Sequence, residues 1–240
     1  MDPRYGERYR ELYENHWWWR ARTQFIEDKI RQLCPSGKQS TLDVGCGDAL
    51  FFDRLKKFGE VEGVEPSVEL VNPDNPYRAN IHLCPFDEKF RPGKLFSLIL
   101  MLDVLEHLPD PVAALSHALS LLKSDGILML TVPAFMSLWT NHDIINHHVV
   151  RYTKSSFRSV ALQSGLKVLE QTYLYHWTFP VKLGVRFSEK LFRLQPKPPQ
   201  VPSGWINETL YRLSRVEQKL LTPLSLPFGS SLMIVGSRAS

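Results

Sequence analysis

Cysteine is scarce in this chain. Cys34, Cys46 and Cys84 are odd in number and show no Cys-x-x-Cys spacing, which argues against a disulfide framework and suits reduced thiols in a cytoplasm. Long apolar runs are missing as well: nowhere do 18 apolar residues follow one another, which removes a conventional spanning helix but leaves surface attachment to a membrane open. The start, MDPRYGERYRELYENH, is charged from its second residue, so no signal peptide is expected. Charge of one sign is not in excess either. The 29 Lys+Arg against 25 Asp+Glu leave +4, too little to argue for a nucleic-acid partner, and none is expected.

What is present is an ordinary globular composition, 43% hydrophobic and 22% charged over 240 residues, enough for one large α/β domain with an elaborated end or for two small domains, the single domain being the simpler expectation. Helical spacing of Trp18, Phe25, Ile26, Ile30 and Leu33 predicts an N-terminal helical segment that CPSG stops. From Thr41 onward short β-like runs alternate with helical ones, the signature of βαβ units and a mostly parallel sheet. FSLILML at 96–102 is apolar at nearly every position, as a central strand covered on both faces requires. The next strand is expected to begin at Gly126, after a helix over 111–122. A polar, His-rich loop follows Pro133, then a helix, a strand, a stiff break at PKPPQVPSG and a last strand in SSLMIVGS.

The stretch DVGCGDA at 43–49 is a glycine turn leaving a strand. It can cradle a pyrophosphate, grip another nucleotide-like ligand, or only turn the chain. Leu50 stands where a dinucleotide fingerprint has its third glycine, and no Gly-Lys-Ser/Thr follows for a phosphate loop. What remains is a carboxylate at Asp43 and two glycines, Gly45 and Gly47, that let backbone approach a ligand closely. VEGVEPS then ends a second strand in Glu65, where a carboxylate can accept hydrogen bonds from both hydroxyls of a ribose.

LDVGCGDALFFDRL, VEGVEPS, LILMLDVLEHLPDP and LLKSDGILMLTVP, in this order, resemble the successive motifs of the class I S-adenosylmethionine-dependent methyltransferases. The resemblance covers roughly residues 40–165 and the closing SSLMIVGS, and ENHWWWRART resembles the N-terminal helix of the bacterial methyltransferase-23 or type-11-like subgroup. Ala49 departs from a frequent third glycine, tolerable if φ there is negative, and Ser97 replaces a frequent Asp at the strand's entrance. The resemblance implies a Rossmann-like α/β fold with a seven-stranded, mostly parallel sheet. The expected organisation is an N-terminal helical cap (1–39), the cofactor-binding core (40–175), a helical insertion (176–229) and the last strand with the C-terminus (230–240). It implies S-adenosylmethionine as cofactor, with S-adenosylhomocysteine as product. The residues expected to hold it are Asp43, Gly45, Cys46, Gly47, Glu65, Pro66, Asp103, Val104 and Leu105, with adenine near residues 84–87. For Asp103 and Glu106 helix capping and a helix-dipole contact are the competing readings.

A methyl acceptor that holds its proton benefits from a base, and NHDIINHHVVRYT follows the fifth strand, on the ligand side in this design. His142, His147 and His148 are the candidate bases. Asp143, Arg151, Tyr152, His107, Trp18 and Arg22 are the candidate acceptor contacts. An ordered lid is the plainer alternative, and a metal site lacks a recognisable zinc-ligand spacing, so no metal is expected. Trp17, Trp18 and Trp19 cannot all face one core, so at least one is expected to cover a pocket unless the helix merely packs on the sheet. Lys182, Arg186, Lys190 and Arg193 form a basic stripe beside Leu183, Phe187, Leu191 and Leu194. Such a helix can make peripheral membrane contact through residues 179–194 or line a pocket for a lipid-like acceptor, and packing its apolar side onto the domain is the plainer reading. The acceptor is expected to be a small molecule, a glycan or a lipid-linked intermediate. A non-catalytic cofactor-binding module and a nicotinamide-dependent oxidoreductase are the rival functions.

Overall fold

The computed structural model describes residues 3–35 and 38–239. In chain order its elements are α1 (Pro3–Asn15), α2 (Trp17–Leu33), β1 (Gln39–Val44), α3 (Phe52–Leu55), β2 (Gly59–Val64), β3 (Ile81–His82) and β4 (Phe96–Leu102). There follow α4 (Pro111–Ser120), β5 (Leu122–Pro133), α5 (Asn141–Ile145), α6 (Lys154–Ser164), β6 (Leu166–Leu174), α7 (Thr178–Phe192), α8 (Gly204–Leu220) and β7 (Ser231–Arg238). The seven strands form one sheet in the order β3-β2-β1-β4-β5-β7-β6. The β1–β2, β1–β4, β2–β3 and β4–β5 pairs are all parallel. The chain runs outward from β1 to β3 and then returns to the other side of β1 for β4 and β5. The switch point of this α/β sheet is therefore at β1 and β4, beyond whose carboxyl ends ligands bind in such sheets.

Contacts divide the chain into two units, one of residues 1–26, 133–153 and 172–232 and a second of 27–132, 154–171 and 233–240. In the second unit Phe96, Leu98, Ile99, Leu100 and Met101 of β4 have no exposed surface, the burial expected of a strand covered on both faces. Ser97 at its entrance accepts from Ser40 N at 2.9 Å and so fastens the starts of β1 and β4. Asp110 caps α4 by accepting from Ala113 N at 2.9 Å, with Pro111 as its first residue. β5 starts at Leu122 rather than at Gly126, because α4 closes at Ser120 and the strand takes in the exposed KSD before its buried run. β3 shrinks to two residues.

In the first unit the predicted N-terminal helix is two helices, broken at His16. The His16 ring accepts the Trp18 N–H on Nδ1 at 3.1 Å and lies 5.0 Å from the Trp19 ring, edge to face. It acts as a neutral N-cap for α2. Asn207 of α8 clips the break from both sides, accepting from Trp17 N at 2.8 Å and donating to Asn15 O at 2.7 Å. All three consecutive tryptophans enter aromatic packing. Trp19 is buried against Leu12, Trp18 lies 5.9 Å from Tyr175, and Trp17 lies 5.2 Å from Trp177.

Burial pushes the His16 pKa down to about 4, which gives a pH signature. A His whose pKa is depressed on folding contributes stability that is complete above its unfolded value of about 6.5 and is lost as pH falls toward the folded value. Between pH 7.5 and 5 this residue is expected to cost about 2 kcal/mol. His16→Asn keeps a capping oxygen and removes the titration, so urea denaturation at the two pH values should show a smaller loss in that variant than in the wild type. An equal loss in both would reject the role.

Candidate functional site

In the second unit the carboxyl ends of three neighbouring strands come level. Asp43 pairs with Gly63 on one side and Leu100 on the other, Gly45 N donates to Val64 O at 2.8 Å, and Asp103 N donates to Thr131 O at 2.9 Å. Asp43 and Glu65 are both buried, each 5% exposed. The Glu65 carboxylate does more than point at the ligand end of the sheet: one oxygen accepts from Gly47 N and the other from Ser67 N, both at 2.9 Å. It ties the glycine turn to the start of the loop after β2, across Pro66. Each oxygen keeps a lone pair for a further donor.

Gly45 and Gly47 are both left-handed, at φ +70 and +52. A Cβ on Gly45 would meet Val104 at 2.8 Å, whereas one on Gly47 would meet nothing within 4 Å. Gly45 is therefore a packing requirement, while Gly47 leaves its face of the turn open. Ala49 is left-handed too, at φ +53, contrary to the negative φ on which its tolerance was argued; a Cβ there costs roughly 1 kcal/mol or more. The Cys46 thiol is pushed well above its ordinary value, first by burial and then by the Asp43 and Glu65 charges, and stays protonated.

Beyond β4, Asp103 also stands in the left-handed region, at φ +56, a conformation that Asp tolerates better than most residues and that clusters at functional positions. Its Oδ1 accepts from Thr131 Oγ1 at 3.1 Å. Val104 leads into a single tight turn, residues 105–107, in which Leu105 and Glu106 are buried and His107 is half-buried. Two contributors were not singled out in the sequence. Thr131 is the lone hydroxyl in the apolar run of β5, a visible signal. Asp48 accepts from Asn72 N and Asn75 Nδ2 at 2.9 and 2.7 Å, holding the turn against a loop some 24 residues on, for which spacing gives no signal.

The His-rich stretch of the first unit is ordered rather than a plain loop. Thr140 and Asp143 form a capping box on α5. Asp143 has no exposed surface and accepts from Arg151 Nε and Nη2 at 2.8 Å, from His148 Nδ1 at 2.8 Å and from Thr140 N at 2.8 Å. Burial alone would raise its pKa, but the His148 and Arg151 hydrogen bonds and the Arg151 charge outweigh that and hold the carboxyl well below the usual carboxylate range. Arg151, 3% exposed, also donates to Ala134 O at 3.2 Å. Tyr152 is buried and bridges to Ala134. His142 is pushed down to about 3 by burial and then by the Lys182 charge, so it is neutral near pH 7. His147 is exposed and left-handed, at φ +55. Arg22 lies over the Trp18 ring at 5.6 Å.

A family model described as a methyltransferase domain matches residues 18–171. A ubiquinone biosynthesis O-methyltransferase of Coxiella burnetii is 32% identical over 118 residues, 46% of this chain and 49% of the relative. Another, of Bradyrhizobium diazoefficiens, is 29% identical over 112 residues, 44% of each chain. The chain thus spans somewhat under half the length of the curated relatives it matches. Among solved structures, the N-methyltransferase NodS of Bradyrhizobium japonicum, in complex with S-adenosyl-L-homocysteine, has a TM-score of 0.54 at 14% identity, with 96% of this chain and 91% of that chain covered. That is a likeness of fold.

Proposed function

Because the chain belongs to the methyltransferase-domain family, within the class I S-adenosylmethionine-dependent methyltransferases, we propose that it methylates a hydroxyl of a small-molecule, glycan or lipid-linked acceptor with S-adenosylmethionine as donor. Family membership removes the basis for the nicotinamide reading. The O-methyltransferase names of its relatives support an oxygen acceptor. We also propose peripheral contact with a membrane through residues 179–194, independent of the identity of the acceptor. Among the described residues no helix is long and apolar enough to cross a membrane.

Asp43, Gly45, Cys46, Gly47, Glu65, Pro66, Asp103, Val104 and Leu105 are the proposed cofactor residues. When bound, S-adenosylmethionine supplies a methyl group already activated by its positive sulfur. The residues fit such a group: Asp43 and Glu65 offer buried negative charge, and Glu65 has lone pairs left for ribose hydroxyls. The observation that carries the reading is the Glu65 carboxylate, which braces the open-faced Gly47 turn and has acceptor capacity to spare. In the first unit His148 is the proposed base, with Trp18, Arg22 and Tyr152 there as acceptor contacts. Asp143 and Arg151 satisfy each other away from solvent, so they move from acceptor binding to positioning His148.

Calorimetric titration with S-adenosylhomocysteine tests the assignment. Asp43→Ala and Glu65→Ala are each expected to weaken binding by about 1–3 kcal/mol, and Gly47→Val to abolish it by filling the open face. Unchanged affinity in the folded variants would reject it.

A further inference from the structure

The two long helices of the first unit are built inside out. In α8 the buried residues are Asn207, Ser214, Glu217 and Gln218, and each is engaged. Asn207 clips the α1–α2 break, Ser214 accepts from the Trp177 indole, Glu217 accepts from His176 N and Trp177 N, and Gln218 donates to Ala21 O. The opposite face carries Trp205, Leu213, Val216 and Leu220, which are 75%, 43%, 52% and 64% exposed. α7 repeats the inversion. Its Glu189 accepts from Asn141 N and its Lys182 is half-buried, while Leu183, Phe187 and Leu191 are 40%, 68% and 60% exposed. The apolar stripe therefore does not pack onto the domain, as the plainer sequence reading had it. An amphipathic helix ordinarily turns that stripe inward, and outward apolar surface of this extent marks an interaction site.

The charge is segregated with it. Residues 178–220 hold eight Lys and Arg against three Glu, whereas the rest of the chain holds 21 cations against 22 acids. Glu189, Glu208 and Glu217 are all held in hydrogen bonds, Glu208 by Arg20 and Arg212. The chain's whole positive excess thus lies on the segment that shows its apolar faces to solvent. Arg193, left-handed at φ +50 beyond the last turn of α7, leaves the helical stripe but stays within this basic segment.

We propose that α7 and α8 dock the protein on an anionic lipid bilayer, apolar residues entering the acyl boundary and Lys and Arg lying among the headgroups. A second copy would bring a net charge of +5 against +5, and phosphates of a nucleic acid would make no use of the apolar stripes. The docking rests on the helices alone and requires no part of the methyl-transfer reading.

Flotation of the full chain with phosphatidylcholine vesicles, with and without phosphatidylglycerol, at low and high salt tests it. Binding is expected only with phosphatidylglycerol and to fall with salt. Lys190→Gln and Lys219→Gln should each lower partitioning roughly fivefold. The triple change Phe187→Ser, Leu191→Ser, Trp205→Ser should abolish it with the charge intact and the thermal transition unchanged, and brominated lipid should quench Trp205 in the wild type. Glu65→Ala should float like the wild type, so a failed cofactor site leaves this result readable. No flotation at low salt, flotation indifferent to the apolar triple, or an apolar triple that only turns a dimer into a monomer would overturn the proposal.

Discussion

Asp143→Ala is expected to destabilise the protein by about 3–5 kcal/mol, the usual result of stripping one partner from a buried ion pair. The Arg151 side chain is 1% exposed, and without the carboxylate its charge keeps only the Ala134 carbonyl among the contacts described above. The α5 capping box disappears in the same step, a further loss of about 1 kcal/mol. Urea denaturation at pH 7 measures the sum. Replacing both partners, Asp143→Leu with Arg151→Met, should recover much of it, because an apolar pair of similar volume carries no desolvation penalty. The pH dependence separates this pair from His16. A carboxyl whose pKa is lowered on folding contributes stability that is present above its unfolded value and is lost only as pH falls through the folded one. The Asp143 contribution should therefore be intact at pH 5, where that of His16 is already going. A loss below 1 kcal/mol in Asp143→Ala would show that the pair does not bear on stability.

The parts of this molecule that were legible in sequence are those fixed by local chemistry. FSLILML admits no polar face, so it had to be an interior strand, and DVGCGDA could be read as a glycine turn leaving a strand, with carboxylates at Asp43 and Glu65 where two strands end. The parts that were not legible depend on partners distant in sequence. The period of α7 and α8 gives the angle of the apolar stripe but not which side faces inward; that is decided by Glu217 meeting His176 and Trp177, 41 and 40 residues away, and by Asn207 meeting Trp17, 190 residues away. The break at His16 was hidden because His is neither a strong helix breaker nor a usual cap. It serves here because burial keeps its ring neutral and able to accept the Trp18 N–H.

The same distinction applies to the three histidines of residues 142–148, which sequence could not rank. His142, pushed down to about 3, is neutral near pH 7 and too weak a base to draw a proton from a hydroxyl. His147 is exposed. His148 has its Nδ1 against a carboxylate, at 2.8 Å from Asp143 Oδ1. An ionised carboxylate only accepts, so Nδ1 carries a hydrogen toward Asp143 and the ring is held in one orientation, as a positioned general base requires. His148→Ala is accordingly expected to lower the rate of methyl transfer by about 10²–10⁴ while S-adenosylhomocysteine affinity stays near the wild type, with a loss of stability of about 1–3 kcal/mol because the buried Asp143 carboxylate loses one donor. His142→Ala should leave the rate within a few-fold, and added imidazole should restore part of the activity of His148→Ala, a rescue that a purely structural role would not give. An unchanged rate would mean that the acceptor gives up its proton without this residue. A parallel loss of rate and cofactor affinity, with no rescue, would instead make the Asp143–Arg151–His148 cluster an ordered lid and nothing more.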